Sequence, residues 1–193
     1  MQSLAESWRA AFWEVVQDPQ NAELLRRASV EERLRDWTTA LTAVAIQTCQ
    51  RIGWQASAKG HQTDLLPVSR GEYLGLDVMA FTESGKRWRF PTAVFELENG
   101  TTDDPVAYSL WKVLSVRADF RAVFCYRRES QDGAALVRML RDEVVQAMDV
   151  KQRAELDGST VVVVGSRNDS ATFPYGFFKW WELDTNTGSF RVM

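Results

Sequence analysis

The alternation of helical and strand-like segments is the feature that most restricts what this chain of 193 residues can fold into. From residue 29 the apolar pattern runs helix, strands, helix, strand, helix, strand. Such an order lets helices cover both faces of one sheet whose strands run in mixed directions. The sequence therefore predicts an α/β fold with a mixed central β-sheet flanked by helices.

Each segment is bounded by turn and capping residues. Ser29 to Glu32 has the pattern of a capping box, which predicts the start of a long helix, and Gly53 ends it. Asp103-Asp104-Pro105 predicts another helix start. The predicted helices cover 3–17, 20–27, 29–53, 103–117 and 133–148, and the predicted strands cover 54–59, 73–81, 88–98, 122–126 and 160–164, followed by a hairpin in 173–193.

The length favours a single domain over 1–193, without repeats or a linker. Within it, residues 1–28 are predicted to form an N-terminal helical extension. The core is expected to cover 29–165, and a C-terminal β-hairpin is expected in 166–193.

Composition restricts the class of protein. Hydrophobic residues make up 45% of the chain and charged residues 25%, as in ordinary globular proteins. A net charge of −3 argues against a general nucleic-acid coat protein, but it is compatible with an enzyme that has local basic clusters.

Cys49 and Cys125 are expected to be buried thiols in a reducing compartment. With no apolar run long enough to span a bilayer and no signal peptide pattern, we expect a cytoplasmic protein with no membrane partner.

The stretch AVFELENG, residues 93–100, places two acids in an apolar strand-like run. Side chains alternate across a strand, so Glu96 and Glu98 are expected on the same face. Two like charges side by side need water or a cation. Asp77, in the preceding predicted strand, reaches Glu96 if the two strands form a hairpin. Three converging carboxylates are the oxygen ligands that suit Mg²⁺ or Mn²⁺.

Lys112 is the fourth candidate for this site. It lies two turns into the helix that follows the acidic strand, on the same face as Pro105 and Tyr108. A lysine there could orient the attacking water or stabilise a charged transition state. A solvated position on the helix surface is the alternative for Lys112, and a solvated strand face is the alternative for the acids.

The segments GLDVMAF, AVFELENG and AYSLWKVL resemble the PD-(D/E)xK nuclease superfamily over roughly residues 34–126. The resemblance implies a restriction-endonuclease-like αβββαβ core and a Mg²⁺-dependent phosphodiesterase that acts on DNA. Asp77 matches the first acid of the motif and Glu96 the second. Glu98 stands where the superfamily usually has lysine, and some variants have E-x-E there or move the lysine to the next helix, where Lys112 lies. Asp36 or Glu72 could match an acid that some members carry in the first helix.

Three functions follow as hypotheses. The preferred one is metal-dependent hydrolysis of nucleic acid, with DNA contacted by some of Arg70, Lys86, Arg87 and Arg89. The second is an inactive nuclease fold that acts as a binding or scaffold subunit in a DNA-processing or defence complex. Besides nucleic acid, the expected partners are another protein or a second copy of this chain. The third is an unrelated α/β protein with solvated acids.

Other chemistries are disfavoured by the sequence. His61 is the single histidine and is expected at the surface, which argues against a zinc site or a Ser–His–Asp hydrolase. Phosphate-binding glycine motifs are absent from the sequence. Trp180 and Trp181 are adjacent, so one of them is expected to face outward, where it could stack on a base or dock a partner, but packing under a helix is the preferred interpretation.

Overall fold

The computed structural model of the protein describes residues 3–193. The helices in this range are α1 (Leu4–Val16), α2 (Pro19–Val30), α3 (Leu34–Arg51), α4 (Asp103–Leu114), α5 (Asp132–Leu140) and α6 (Val150–Ala154). The strands are β1 (Gln55–Ala58), β2 (Val78–Phe81), β3 (Ala93–Leu97), β4 (Phe120–Arg127), β5 (Ser159–Ser166), β6 (Phe178–Asp184) and β7 (Ser189–Val192). A π-helical turn over Arg141–Val145 continues α5, and a 3₁₀ turn over Arg167–Thr172 precedes β6.

All these strands belong to one seven-stranded sheet, in which their order in space is their order in the chain. The three central strands, β3, β4 and β5, run parallel to one another. The pairs toward either edge are antiparallel: β1–β2, β2–β3, β5–β6 and β6–β7. Helix α4 makes the crossover between β3 and β4. The predicted mixed sheet flanked by helices is confirmed, as are the β2–β3 hairpin and the C-terminal hairpin of β6 and β7.

One face of the sheet packs against α1, α2 and α3 through an aromatic core. Trp8 of α1 is fully buried and lies within 5.0–6.1 Å, between ring centroids, of aromatic residues from α1, β3, β4 and β6. The N-terminal helix predicted as an extension therefore contributes directly to the main core. Burying aromatic rings of this size is among the largest stabilising contributions available to a core.

The opposite face packs against α4 and α5 through aliphatic residues. Because both faces are covered, adjacent residues of a strand are both buried. Trp180 lies in the first core and Trp181 in the second, and both are buried. The expectation that one of these tryptophans faces outward was therefore wrong, and packing under helices is what the structure has.

The predicted start of the long helix at Ser29 was also wrong. α2 continues to Val30 and ends in a left-handed residue, Glu32, with a φ of 53°. The amide of Arg33 donates to the carbonyl of Ala28 at 2.9 Å, which closes α2 in the manner of a Schellman motif. Ser29 instead shares a hydrogen bond with Ser170 at 2.7 Å. The long helix α3 begins at Leu34 without a side-chain cap.

β2 is shorter than the strand predicted over 73–81. The chain turns at Leu74 and Gly75, where φ is 56° and 65°, and the amide of Leu76 donates to the carbonyl of Tyr73 at 3.0 Å. Asp77 therefore lies immediately before β2 instead of inside it. The next strand also begins later than predicted, at Ala93.

The remaining expectations concern individual residues and the membrane. Cys49 and Cys125 are buried free thiols, and burial raises the pKa of each to about 12. His61 is exposed, as expected for its position. Across residues 3–193, no helix combines the length and the apolar character needed to cross a bilayer.

Candidate active site at the start of β2 and the end of β3

Asp77 and Glu96 meet where β2 begins and β3 ends. The antiparallel register pairs Val78 with Phe95, so Asp77 and Glu96 occupy the next opposing positions. The Asp77 carboxylate accepts a hydrogen bond from the amide of Leu97 at 2.7 Å, which fixes it beside the end of β3. The structure thus brings together the first two acids predicted from the sequence.

Glu96 is a buried carboxylate, 5% exposed, on the face of the sheet covered by α4. Its Oε2 accepts from Lys112 Nζ at 2.8 Å and from the Ser109 hydroxyl at 3.3 Å. Its Oε1 is buried and accepts no hydrogen bond of good geometry within residues 3–193, although the nearby backbone amide of Asp77 lowers the pKa of this carboxyl. A buried oxygen without a partner is costly, so this atom marks a place where a proton or a cation would be stabilising.

Burial shifts the ionisation of both acids. Removal from water raises the pKa of Glu96 to about 7, against the opposing effect of Lys112, and the charge of Asp77 adds to the rise. Burial also raises the pKa of Asp77, against its hydrogen bond from Leu97 and the charge of Lys112. Both carboxyls therefore hold a proton more firmly than exposed acids do, and a bound cation would compete with that proton.

Lys112 reaches the acids from α4, which crosses over the end of β3. Besides Glu96, its ammonium group donates to the carbonyl of Gly75 at 2.8 Å, in the turn before Asp77. It also lies 5.7 Å from the centre of the Tyr108 ring. Lys112 therefore links the turn before β2 with the end of β3, and it is not a solvated lysine on the helix surface.

Glu98 lies just beyond β3, and its Oε1 accepts a hydrogen bond from the amide of Gly100. Its charge contributes to the raised pKa of Asp77, so it is near the site. Over the part of the chain that the structure describes, no three His, Cys, Asp or Glu side chains are arranged as a metal site. The structure thus assembles a pair of acids with a lysine, and Glu98 as a third ligand stays a prediction.

The two further acids considered from the sequence differ in position. Asp36 is exposed on α3 and lies 3.7 Å from Arg33. Glu72 is exposed in the segment before Asp77, and its charge raises the pKa of Asp77. Of the two, Glu72 is the acid whose charge acts on the site.

Sequence reasoning missed two polar groups of this site. Ser109 lies three residues before Lys112 on the same helix face, so helical spacing could have found it. The carbonyl of Gly75 gave no signal, because its position depends on the turn at Leu74 and Gly75.

Within residues 3–193, none of the four basic residues predicted to contact substrate forms an ion pair or hydrogen bond with Asp77, Glu96 or Glu98. Arg70 and Arg89 border a groove beside the turn at Leu74, and Lys86 and Arg87 are exposed in the loop between β2 and β3. Arg89 donates to Gln55 of β1 at 2.9 Å.

Comparison of the chain with models of protein families, with curated proteins and with solved structures gives no match. The geometry of the site is therefore the basis on which the function of the protein is inferred.

Proposed function

We propose that this protein hydrolyses phosphodiester bonds of nucleic acid, with DNA as the expected substrate and Mg²⁺ or Mn²⁺ as cofactor. The observation that carries the proposal is the meeting of Asp77, Glu96 and Lys112 at one end of the β2–β3 hairpin. The order α3–β1–β2–β3–α4–β4 is also the order expected of a restriction-endonuclease-like core. The specific relationship to PD-(D/E)xK nucleases is part of this proposal.

The residues present fit a hard divalent cation. Mg²⁺ is commonly held by one or two carboxylates, with water and substrate phosphate completing its coordination. The unpaired Oε1 of Glu96 and the oxygen of Asp77 that does not bond to Leu97 are the donors we assign to it. When bound there, the cation supplies polarisation of the phosphodiester and a more acidic water molecule. Glu98 as an additional ligand is a further part of the proposal.

Lys112 is positioned to assist without leaving its present contacts. An ammonium group has three N–H donors, and two of them are directed at Glu96 and the carbonyl of Gly75. The third is available for a phosphate oxygen or for the attacking water. We assign Lys112 to stabilise negative charge that develops on the phosphate and to keep Glu96 oriented.

The test is cleavage of supercoiled plasmid and of labelled oligonucleotides with Mg²⁺ or Mn²⁺. We expect nicking by the native protein that EDTA abolishes, and a loss of about 100-fold or more in Asp77→Asn and Glu96→Gln. Glu155→Gln, a change of an exposed residue just after α6, serves as the control and should leave the rate unchanged. Absence of cleavage by folded native protein on DNA and RNA substrates would overturn the proposal.

The inactive binding or scaffold protein remains the second candidate, and one observation favours it. Lys112 already neutralises one oxygen of Glu96 at 2.8 Å, so the pair could be a structural bridge between α4 and β3. In that case Mn²⁺ would not bind and Glu96→Gln would alter stability alone.

A further inference from the structure

Two large aromatic side chains are exposed in the loop between β2 and β3. Trp88 is 61% exposed and Phe90 is 79% exposed. They alternate with basic residues in the run Lys86-Arg87-Trp88-Arg89-Phe90. Exposed aromatic residues grouped in this way mark a binding surface more often than a packing surface.

These rings border a groove of about 540 Å³. We call it the aromatic groove, and its walls are formed by Trp88, Phe90 and the exposed Leu74. Buried apolar residues such as Tyr73, Met79 and Phe81 also line it. The groove therefore offers apolar surface to the flat faces of a ligand.

The border of the aromatic groove is basic. Arg70, Arg89 and Arg117 line it, and the guanidinium of Arg117 lies 6.0 Å from the centre of the Phe90 ring. Lys86 and Arg87 precede Trp88 in the same loop. Within residues 3–193, none of these five basic side chains makes an ion pair with a carboxylate. Five acids lie within two residues of the groove lining in sequence: Asp64, Glu72, Asp77, Glu83 and Asp119. In a chain of net charge −3, this concentration of free positive charge favours a polyanion as the ligand.

The aromatic groove adjoins the candidate active site. Tyr73 and Leu74 line the groove, and the next residue, Gly75, accepts a hydrogen bond from Lys112. Ser115 and Val116, just after α4, line it from the other side. The groove therefore meets the candidate active site at the turn of Leu74 and Gly75, whereas Trp88 and Phe90 lie in the loop at the other end of the β2–β3 hairpin.

We infer that the aromatic groove binds single-stranded nucleic acid, with unpaired bases stacked on Trp88 and Phe90 and phosphates held by the surrounding basic residues. A base exposes its face only when it is unpaired, whereas a duplex offers phosphates and base edges. Aromatic and basic residues in alternation suit the unpaired strand best. The inference that this strand is also what is cleaved rests on the proposed function.

The binding experiment is independent of cleavage because it is done in EDTA. Fluorescence anisotropy is measured with labelled oligo-dT and oligo-rU of about 12 nucleotides and with a duplex of the same length. We expect at least one single strand to bind about tenfold or more tightly than the duplex, and the DNA and RNA arms show which sugar is preferred. Trp88→Ala and Phe90→Ala should each weaken that binding by about 5- to 100-fold, and Trp88→Phe should restore most of it.

Two controls separate stacking and local charge from general effects. Tyr175→Ala removes another exposed aromatic ring, 72% exposed, and should leave binding unchanged. Lys86→Gln should weaken binding and reduce its dependence on salt, whereas Lys151→Gln on α6 should not. Thermal unfolding verifies that each variant is folded.

Equal affinity for duplex and single strands, or unchanged binding in folded Trp88→Ala, would overturn the inference, because binding would then depend on phosphates without base stacking. If the native protein does not nick DNA but still binds single strands in a Trp88-dependent way, the proposed function is overturned instead. The two failures are thus distinguishable.

Discussion

Lys112 on α4 donates to Glu96 on β3 at 2.8 Å, so the crossover helix is tied to the strand it leaves. The side chains of both residues are largely removed from solvent. A buried ion pair contributes little net free energy to folding, but removing one partner is costly because it leaves a buried charge without a counterion. The pair therefore links the stability of the fold to the protonation of the candidate active site.

Replacing Lys112 with Met should destabilise the protein in a way that depends on pH. Near pH 8, above the Glu96 pKa of about 7, the carboxyl is ionised and would lose its partner. We expect the free energy of unfolding to fall by about 1–3 kcal/mol there. Near pH 5.5 the same carboxyl is protonated, so the loss should be smaller. Urea denaturation at the two pH values measures the difference.

Lys151→Met is the matched control for this prediction. Lys151 is highly exposed and lies 3.9 Å from Glu155 on α6, so its removal should change the free energy of unfolding by less than about 0.5 kcal/mol at either pH. An equal loss in Lys112→Met at both pH values would contradict the role given to Glu96.

A second prediction concerns Arg121, which is 3% exposed and faces backbone carbonyls. Its Nε lies 3.1 Å from the carbonyl oxygens of both Val113 and Val116, and its Nη1 lies 2.7 Å from that of Asp157. Arg121 thus holds the end of α4 to the sheet. Arg121→Met would leave these acceptors without a donor, and we expect a loss of about 2–4 kcal/mol in urea denaturation.

Arg138→Met is the control for Arg121, because Arg138 is exposed on α5. Arg138→Met should leave the free energy of unfolding almost unchanged. A loss in Arg121→Met no larger than that of the control would show that the carbonyls find other donors or water.

The third prediction isolates backbone crowding at Gly158, before β5. Its φ is +79°, and a Cβ there would lie 2.1 Å from the carbonyl oxygen of Asp119. Gly53 has a φ of +80° with no atom within 4 Å of the same position, and Gly85 has neither constraint. We expect the free energy of unfolding to fall by about 2–4 kcal/mol in Gly158→Ala, by about 1 kcal/mol in Gly53→Ala and by almost nothing in Gly85→Ala. Thermal and urea unfolding of the three variants give the order, and equal losses at Gly53 and Gly158 would contradict it.

Much of the fold was predictable because the physical signals are local. Helical spacing and strand-like runs identified the order of elements, and the predicted pairing of two neighbouring strands as a hairpin placed Asp77 near Glu96. The hairpin of β2 and β3 needed only two apolar runs with turn residues between them. These parts of the site depend on short-range geometry that the sequence expresses directly.

The parts that could not be predicted depend on distant residues or on unusual backbone conformations. Non-glycine residues rarely adopt a positive φ, so the sequence did not indicate the turn at Leu74 or the end of α2 at Glu32. Arg117 reaches Phe90 only through the tertiary fold. The burial of both Trp180 and Trp181 follows from helices on both faces of the sheet, which the order of elements predicted, so only the outward orientation expected from the β6 pattern was wrong.

The last prediction concerns the affinity for Mn²⁺ as a function of pH. A cation at Glu96 must displace its proton, and burial raises the pKa of Glu96 to about 7. The affinity should therefore increase by about tenfold between about pH 6 and pH 8, as the ionised fraction rises. Asp77 acts in the same direction, because burial raises its pKa too. Isothermal titration calorimetry on native protein, Glu96→Gln and the surface control Glu155→Gln measures the effect.

Glu96→Gln should weaken Mn²⁺ binding by at least about tenfold and flatten its pH profile, since the titrating group is gone. Glu155→Gln should behave like the native protein. Thermal unfolding adds an independent measurement: Mn²⁺ should raise the melting temperature more near pH 8 than near pH 6, because ligand stabilisation grows with affinity. An affinity that does not change over this pH range, or one that Glu96→Gln leaves intact, would place the cation elsewhere and leave the Glu96–Lys112 pair with a structural role.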